Sequence, residues 1–158
     1  YFQMSKFETV VFGAGCFWGV EETFSEVKGV KNTTVGYAGG TTQNPSYEAV
    51  CSHTTGHVEV VQVEFDPKII SYKELLQVFW NCHDATQVNR QGSDVGSNYR
   101  SIILFHSEAQ RKAAEISKKE QEKKLGKKVA TEIKAVDKFW KAEEYHQKYV
   151  QRTGLKVC

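Results

Sequence analysis

Apolar positions recur with two periods along the chain, and the switches between them predict the elements. Thr9 to Phe12 is a short apolar run, read as a strand. It runs into a glycine-rich turn, Gly13-Ala14-Gly15-Cys16-Phe17-Trp18-Gly19. Val20, Phe24 and Val27 share one face at helical spacing, which predicts a helix over Val20 to Val27 with Gly29 as its stop. Val30 to Tyr37 reads as a strand and Ala38 to Ser46 as a polar loop. From His57 to Asp66 the two-residue alternation is clearest, with Glu59, Val61, Val63 and Phe65 on one face.

Ser71-Tyr72-Lys73-Glu74 has the form of a capping box, and Tyr72, Leu75, Leu76 and Phe79 follow at helical spacing. His83 to Asn98 shows neither period, and a loop that long in a compact domain usually carries function. Ile102 to Phe105 marks a buried strand within Arg100 to His106. Ser107 with Gln110 reads as a second capping box, opening a helix that Gly126 ends near Leu125. Val129, Thr131 and Ile133 alternate as a strand, Ala142 to Val150 reads as a helix, and Arg152 to Cys158 is a short tail. The predicted order is β-α-β-β-α-β-α-β-α, an α+β chain compatible with a helix-on-sheet sandwich.

The 158 residues fit one domain with room for a core. Tyr1-Phe2-Gln3 before Met4 reads as an expression-tag remnant, which leaves residues 4–158 as a single domain. Lys plus Arg is 21 and Asp plus Glu is 19, a net charge of +2, so charge gives no reason to expect nucleic acid or anionic lipid. The longest nearly apolar stretch, Val10 to Val20, is 11 residues with three glycines, too short to span a bilayer. No signal peptide is visible. Cys16, Cys51, Cys82 and Cys158 form no CxxC pair, which argues against a structural zinc knuckle. Cysteines this sparse do not make a secreted disulfide scaffold, so a reducing, cytoplasmic setting is expected.

Cys16 falls where a strand turns into a helix. Unsatisfied backbone N–H groups and the positive end of a helix dipole both stabilise a thiolate, the nucleophilic form. The competing reading is a small buried residue that fills the turn. Phe17 and Trp18 can wall an apolar group of a substrate, or be core. Glu59, on a core-facing strand side near the strand's end, is either partly desolvated, which raises a carboxyl pKa and suits it to donate a proton near neutral pH, or an edge position that stays wet. The long loop supplies Asp94, Tyr99 and Arg100, and Tyr47 closes the earlier glycine-rich loop; phenol O–H groups can donate to an oxygen that gains charge. Cys158, at the chain end, is either a second thiol mobile enough to reach a sulfenic acid or an incidental exposed thiol. Gly13-x-Gly15-x-x-x-Gly19 has the wrong spacing for a dinucleotide loop. No metal set is selected by spacing, and the Lys-rich stretch from Arg111 to Lys128, with its Glu–Lys pairs four apart, reads as a solvated helix face.

Gly15-Cys16-Phe17-Trp18-Gly19 resembles the signature of the A-type peptide-methionine sulfoxide reductases. The resemblance continues through Val35-Gly36-Tyr37-Ala38-Gly39-Gly40, Pro45-Ser46-Tyr47, Gly56-His57-x-Glu59, Phe65-Asp66-Pro67 and His83-Asp84. It extends through Asn89-Arg90-Gln91-Gly92-x-Asp94-x-Gly96-x-x-Tyr99-Arg100-Ser101 to Ala142-Glu143-x-Tyr145-His146-Gln147, nearly the whole native chain in the family's order. It implies a two-layer ferredoxin-like core with long functional loops and neither metal nor organic cofactor.

The resemblance further implies that Cys16 attacks the sulfoxide sulfur. Glu59 would protonate the oxygen, Tyr47 and Tyr99 would hydrogen-bond to it, Asp94 would hold the polar part of the site, and Phe17 and Trp18 would receive the methyl group. Cys158 would resolve the sulfenic acid to a disulfide, with Cys51 as its rival, and thioredoxin would recycle it. The implied substrate is the S epimer of methionine sulfoxide, free or in proteins, and a monomer is expected. Ala85 replaces a usual proline, His53 a usual glycine, and Cys82 is not a family feature. The alternative is a cysteine hydrolase or amide transferase, which needs a histidine base at Cys16; His57, His83 and His146 are its candidates.

Overall fold

A computed structural model describes residues 7–155; the expectations for residues 1–3 and for Cys158 lie outside the described residues. In chain order the elements are β1 (Glu8–Ala14), α1 (Phe17–Ser25), β2 (Val30–Ala38), α2 (Tyr47–Cys51), β3 (Val58–Phe65) and α3 (Tyr72–Asn81). A small ribbon follows, β4 (Arg90–Gln91) with β5 (Asp94–Val95), then β6 (Ser101–Phe105), α4 (Glu108–Leu125), β7 (Glu132–Ala135), β8 (Phe139–Lys141) and α5 (Tyr149–Thr153).

The expected α+β class holds. The main sheet has six strands in the order β7-β6-β1-β3-β2-β8, two more than the four of a bare ferredoxin-like sheet. Its inner four strands pair antiparallel. β7 joins β6 in parallel and β8 joins β2 antiparallel.

The period-two pattern of β1 decides its two faces. Val10, Phe12 and Ala14 point into the larger core beneath the helices, and Val11 joins a smaller apolar cluster with Val58, Val60 and Ile102. Phe12 stacks on Phe24 of α1 at 5.1 Å and on Phe79 of α3 at 4.8 Å. This row of three rings fixes both helices on the sheet, and each fully buried ring contributes about 2–3 kcal/mol.

Several expected boundaries hold for the expected reasons. Ser71 and Glu74 form the capping box of α3, and Gly126, at φ 72°, closes α4. Others are corrected. Ser107 does cap α4, accepting from the Gln110 N–H at 3.2 Å, but the Gln110 side chain reaches the His106 N–H and the Thr9 carbonyl instead of closing a box. α1 begins three residues before Val20, and the Val129–Ile133 strand shifts to Glu132–Ala135.

Ala142 to Val150 is not one helix. It breaks into a 3-10 turn, Glu144–His146, and the start of α5. Tertiary bonds override the local preference. The Gln147 amide both donates to the Val35 carbonyl and accepts from the Val35 N–H. Lys148 adopts φ 55°, and its N–H donates to buried Glu21.

Candidate active site

The β1–α1 turn presents Cys16. Gly15 before it has φ +104°, and a Cβ there would lie 3.0 Å from Gln91, so the turn requires glycine. Cys16 is the N-cap of α1, and the positive end of the helix dipole acts on its sulfur. Cys16 is disulfide-bonded; Cys51 and Cys82 are free thiols.

Glu59 meets this turn because of register. Phe12 pairs with Val61, and two residues further along β1 Ala14 is level with Glu59 where the strand ends. The Phe17 N–H, first in α1, then donates to Oε1 of Glu59 at 3.2 Å. On the opposite side, the Asn98 amide nitrogen lies 3.5 Å from Oε2. Glu59 is only 1 % exposed. Burial pushes its pKa up to about 8, the Phe17 and Asn98 donors oppose that rise, and the Asp94 charge adds to it. At neutral pH the carboxyl is therefore mostly protonated and able to give a proton away.

Two phenols face the same carboxyl. Tyr47 opens α2, where Ser46 caps the helix by accepting from the Ala49 N–H. Burial raises its hydroxyl pKa above the ordinary tyrosine range, helped by the fields of Glu59 and Cys51. Tyr99 closes the 3-10 turn Ser97–Tyr99, and burial with the Glu59 field pushes it up to about 12. Both stay neutral donors throughout the working range. Arg100 anchors this turn by donating to the carbonyls of Ser97 and Gly56 and to Glu132.

Behind the turn, the Trp18 indole N–H donates to Nδ1 of His146 at 2.9 Å, and its ring stacks on Tyr149 with centroids 4.0 Å apart. Phe17 is 1 % exposed and packs between Tyr37 and His146; its ring belongs to the core, while Trp18 is half-buried. Glu143 joins the layers, accepting from the Tyr37 hydroxyl at 2.9 Å and the Tyr47 N–H at 3.0 Å.

Cys16, Glu59, Tyr47, Tyr99, Asp94 and Trp18 are thus brought to one end of the sheet. Cys16 and Asp94 also line a cavity of about 310 Å³ with Gln91 and Cys82. Cys82, which is not a family feature, is on that wall, and burial pushes its thiol up to about 12. Cys51, the rival resolver, ends α2 within the field of Tyr47 and Glu59, and burial raises its pKa too.

The three candidate histidines point elsewhere. His57 is held by the Gly40 N–H and the Thr42 carbonyl. His83 binds the Phe79 carbonyl and Ser101. His146 accepts from Trp18, and its buried Nε2 has no hydrogen-bond partner and lies 3.9 Å from Glu143. The hydrolase alternative is left without its base. Sequence reasoning did not single out Asn98 or assign a role to Glu143, and it named His146 only as a candidate base, not as the acceptor for Trp18. All three lie inside the quoted motif strings, but only a tertiary contact gives each its place. Among the described residues no group of three metal-ligating side chains occurs, and no helix is long and apolar enough to cross a membrane.

A helix-capping cysteine beside a neutral buried acid and two neutral phenols defines a site for acid-assisted thiol chemistry. The family model for peptide methionine sulfoxide reductase matches residues 8–158, and the chain belongs to that family of methionine sulfoxide-reducing enzymes. It is 51 % identical over 156 residues to the peptide methionine sulfoxide reductase MsrA of Geobacter sulfurreducens, covering 98 % of this chain and 96 % of the relative. Identity to the MsrA of Saccharolobus solfataricus is 52 % over 145 residues, 92 % of this chain and 82 % of the relative. Reduced Mxr1 from Saccharomyces cerevisiae superposes with a TM-score of 0.93 at 35 % identity, covering 100 % of this chain and 92 % of that one. Mxr1 in complex with Trx2 superposes with a TM-score of 0.65 at 28 % identity over 94 % of this chain and 88 % of that one.

Proposed function

We propose that the reduction proceeds at Cys16 with Glu59 as the acid. The Cys16 thiolate attacks the sulfoxide sulfur while Glu59 gives its proton to the oxygen, and the Tyr47 and Tyr99 hydroxyls donate to that oxygen as charge gathers there. Methionine leaves, its sulfur reduced by two electrons. The oxygen and the proton remain on Cys16 as sulfenic acid, oxidised by the same two electrons. Asp94 holds the polar side of the site, and Trp18, with Phe17 behind it, receives the S-methyl group of the S epimer, free or in proteins.

Cys158 then condenses with the sulfenic acid, forming a disulfide and releasing water. The raised pKa values of Cys51 and Cys82 make those thiols poorer attackers and support that choice. A dithiol protein of the thioredoxin class restores both thiols by exchange, a reading supported by the complex of yeast Mxr1 with Trx2. Residues 4–158 act as one catalytic domain on a ferredoxin-like core, supported by the split β-α-β-β-α-β path of the inner strands.

The observation that carries this reading is the buried Glu59 carboxyl bonded to the amide that follows Cys16. Its test mixes reduced enzyme with methionine sulfoxide and no reductant. One equivalent of methionine and a Cys16–Cys158 bridge in the peptide map are expected. A bridge to Cys51 overturns the resolver alone, and the absence of methionine overturns the reaction.

A further inference from the structure

We propose that Asn98 is a positioning residue for the acid: its amide holds the Oε2 side of Glu59 and takes up the negative charge left there when the proton departs. The proposal rests on the reading of Glu59 as proton donor.

The two carboxyl oxygens are held differently. Oε1 faces a backbone N–H that cannot move without moving α1. Among the described residues the hydrogen-bond donor to Oε2 is the Asn98 side chain, at 3.5 Å, a long contact to a neutral acid. An amide donor binds a carboxylate more tightly and at shorter range than a carboxylic acid, so the contact tightens as the proton leaves. Asn98 also opposes the rise of the Tyr99 pKa, so one side chain acts on the acid and on one of the phenols.

Asn98 is otherwise a poor choice for its place. It is 1 % exposed, and its Oδ1 is buried with no partner. A buried, half-satisfied amide weakens a fold relative to an apolar side chain of the same size. The backbone is arranged to keep it there. Gly96, at φ +146°, opens the turn, and a Cβ at Gly96 would come within 2.6 Å of Oδ1. The groups that face Glu59 are Asp94 from β5, Tyr37 from β2, Tyr47 and Cys51 from α2, and Tyr99. Of these, Asp94 raises the Glu59 pKa. Asn98 is the side chain that opposes it.

The test measures the single-turnover rate of methionine formation by the reduced full-length chain against pH, for the parent, Asn98→Leu, Asn98→Ala and Glu59→Gln. In the parent the rate falls on the alkaline side as Glu59 loses its proton. Asn98→Leu is expected to move that fall upward by about one pH unit and to lower the rate below it about tenfold. Its melting temperature is expected to match or exceed the parent's, because the orphaned Oδ1 is gone. Asn98→Ala is expected to shift the fall in the same direction, and it carries the test if the leucine variant does not fold.

An alkaline fall unmoved in the folded Asn98 variants overturns the proposal, whatever the rate, because loss of packing alone lowers a rate without moving the pH at which it falls. Glu59→Gln separates the two readings. If the fall persists there, Glu59 is not the acid and both readings fail. If it vanishes there but does not move in the Asn98 variants, only the role of Asn98 fails.

Discussion

The first backbone amide of α1, that of Phe17, donates to Oε1 of Glu59 at 3.2 Å. One hydrogen bond thus ties the acid on β3 to the helix that Cys16 caps. It fixes the Glu59 carboxyl against the head of that helix through rigid elements, and it restrains the pKa rise that burial imposes on Glu59. A carboxyl raised to about 8 is protonated enough at neutral pH to donate, yet acidic enough to let the proton go.

That raised pKa has a stability consequence of definite sign. Folded Glu59 titrates near 8 and an unperturbed carboxyl near 4.5, so between those values the folded state holds the extra proton. Stability therefore falls as pH rises through this window, and the loss is complete above about 8. Glu59→Gln cannot ionise. Urea denaturation should show it more stable than the parent by roughly 3 kcal/mol at pH 7, a gap that closes toward pH 4.5. Stability curves that run parallel across this window would contradict a buried, proton-holding Glu59. The same variant should lose about 10²–10⁴ in single-turnover rate.

Tyr47→Phe and Tyr99→Phe each remove one hydroxyl donor and little volume. Each should lower the rate of methionine formation by about tenfold or more, with little change in KM, and the double variant should lose more than either. A double variant turning over at the parental rate would remove both phenols from the chemistry.

Glu143→Ala frees the Tyr37 hydroxyl and the Tyr47 N–H together. It should cost about 1–3 kcal/mol in urea unfolding. Its rate loss should not add to that of Tyr47→Phe, because both act on one side chain. Full additivity in the double-mutant cycle would mean that Glu143 does not position Tyr47.

Phe12→Ala tests the fold apart from the site. Its ring touches the rings of both α1 and α3, and removing it should cost about 3–5 kcal/mol. A loss under 1 kcal/mol would show that the stacked rings do not hold the helices down.

What the sequence made legible was whatever depends on neighbours along the chain. The strand of Glu59, the glycine turn before Cys16, the Ser71–Glu74 box and the Gly126 stop all follow from local periods and caps. Segments whose conformation is decided elsewhere were misread. Ala142 to Val150 has helical spacing, yet Gln147 and Lys148 bond across to β2 and α1. α2 is five residues long, too short for a period to show. The site was legible for Cys16 and Glu59 because a helix start and a core-facing strand position have chemistry of their own. Asn98 was not legible: nothing along the chain says that its amide meets a carboxyl 39 residues away.

The most direct measurement follows a single turnover in two variants, Cys16→Ala and Cys158→Ser, each reduced and then given methionine sulfoxide without reductant. Cys158→Ser should release one equivalent of methionine and leave a sulfenic acid on Cys16 that dimedone traps; Cys16→Ala should release none. Methionine formed by Cys16→Ala would contradict the assignment of the nucleophile.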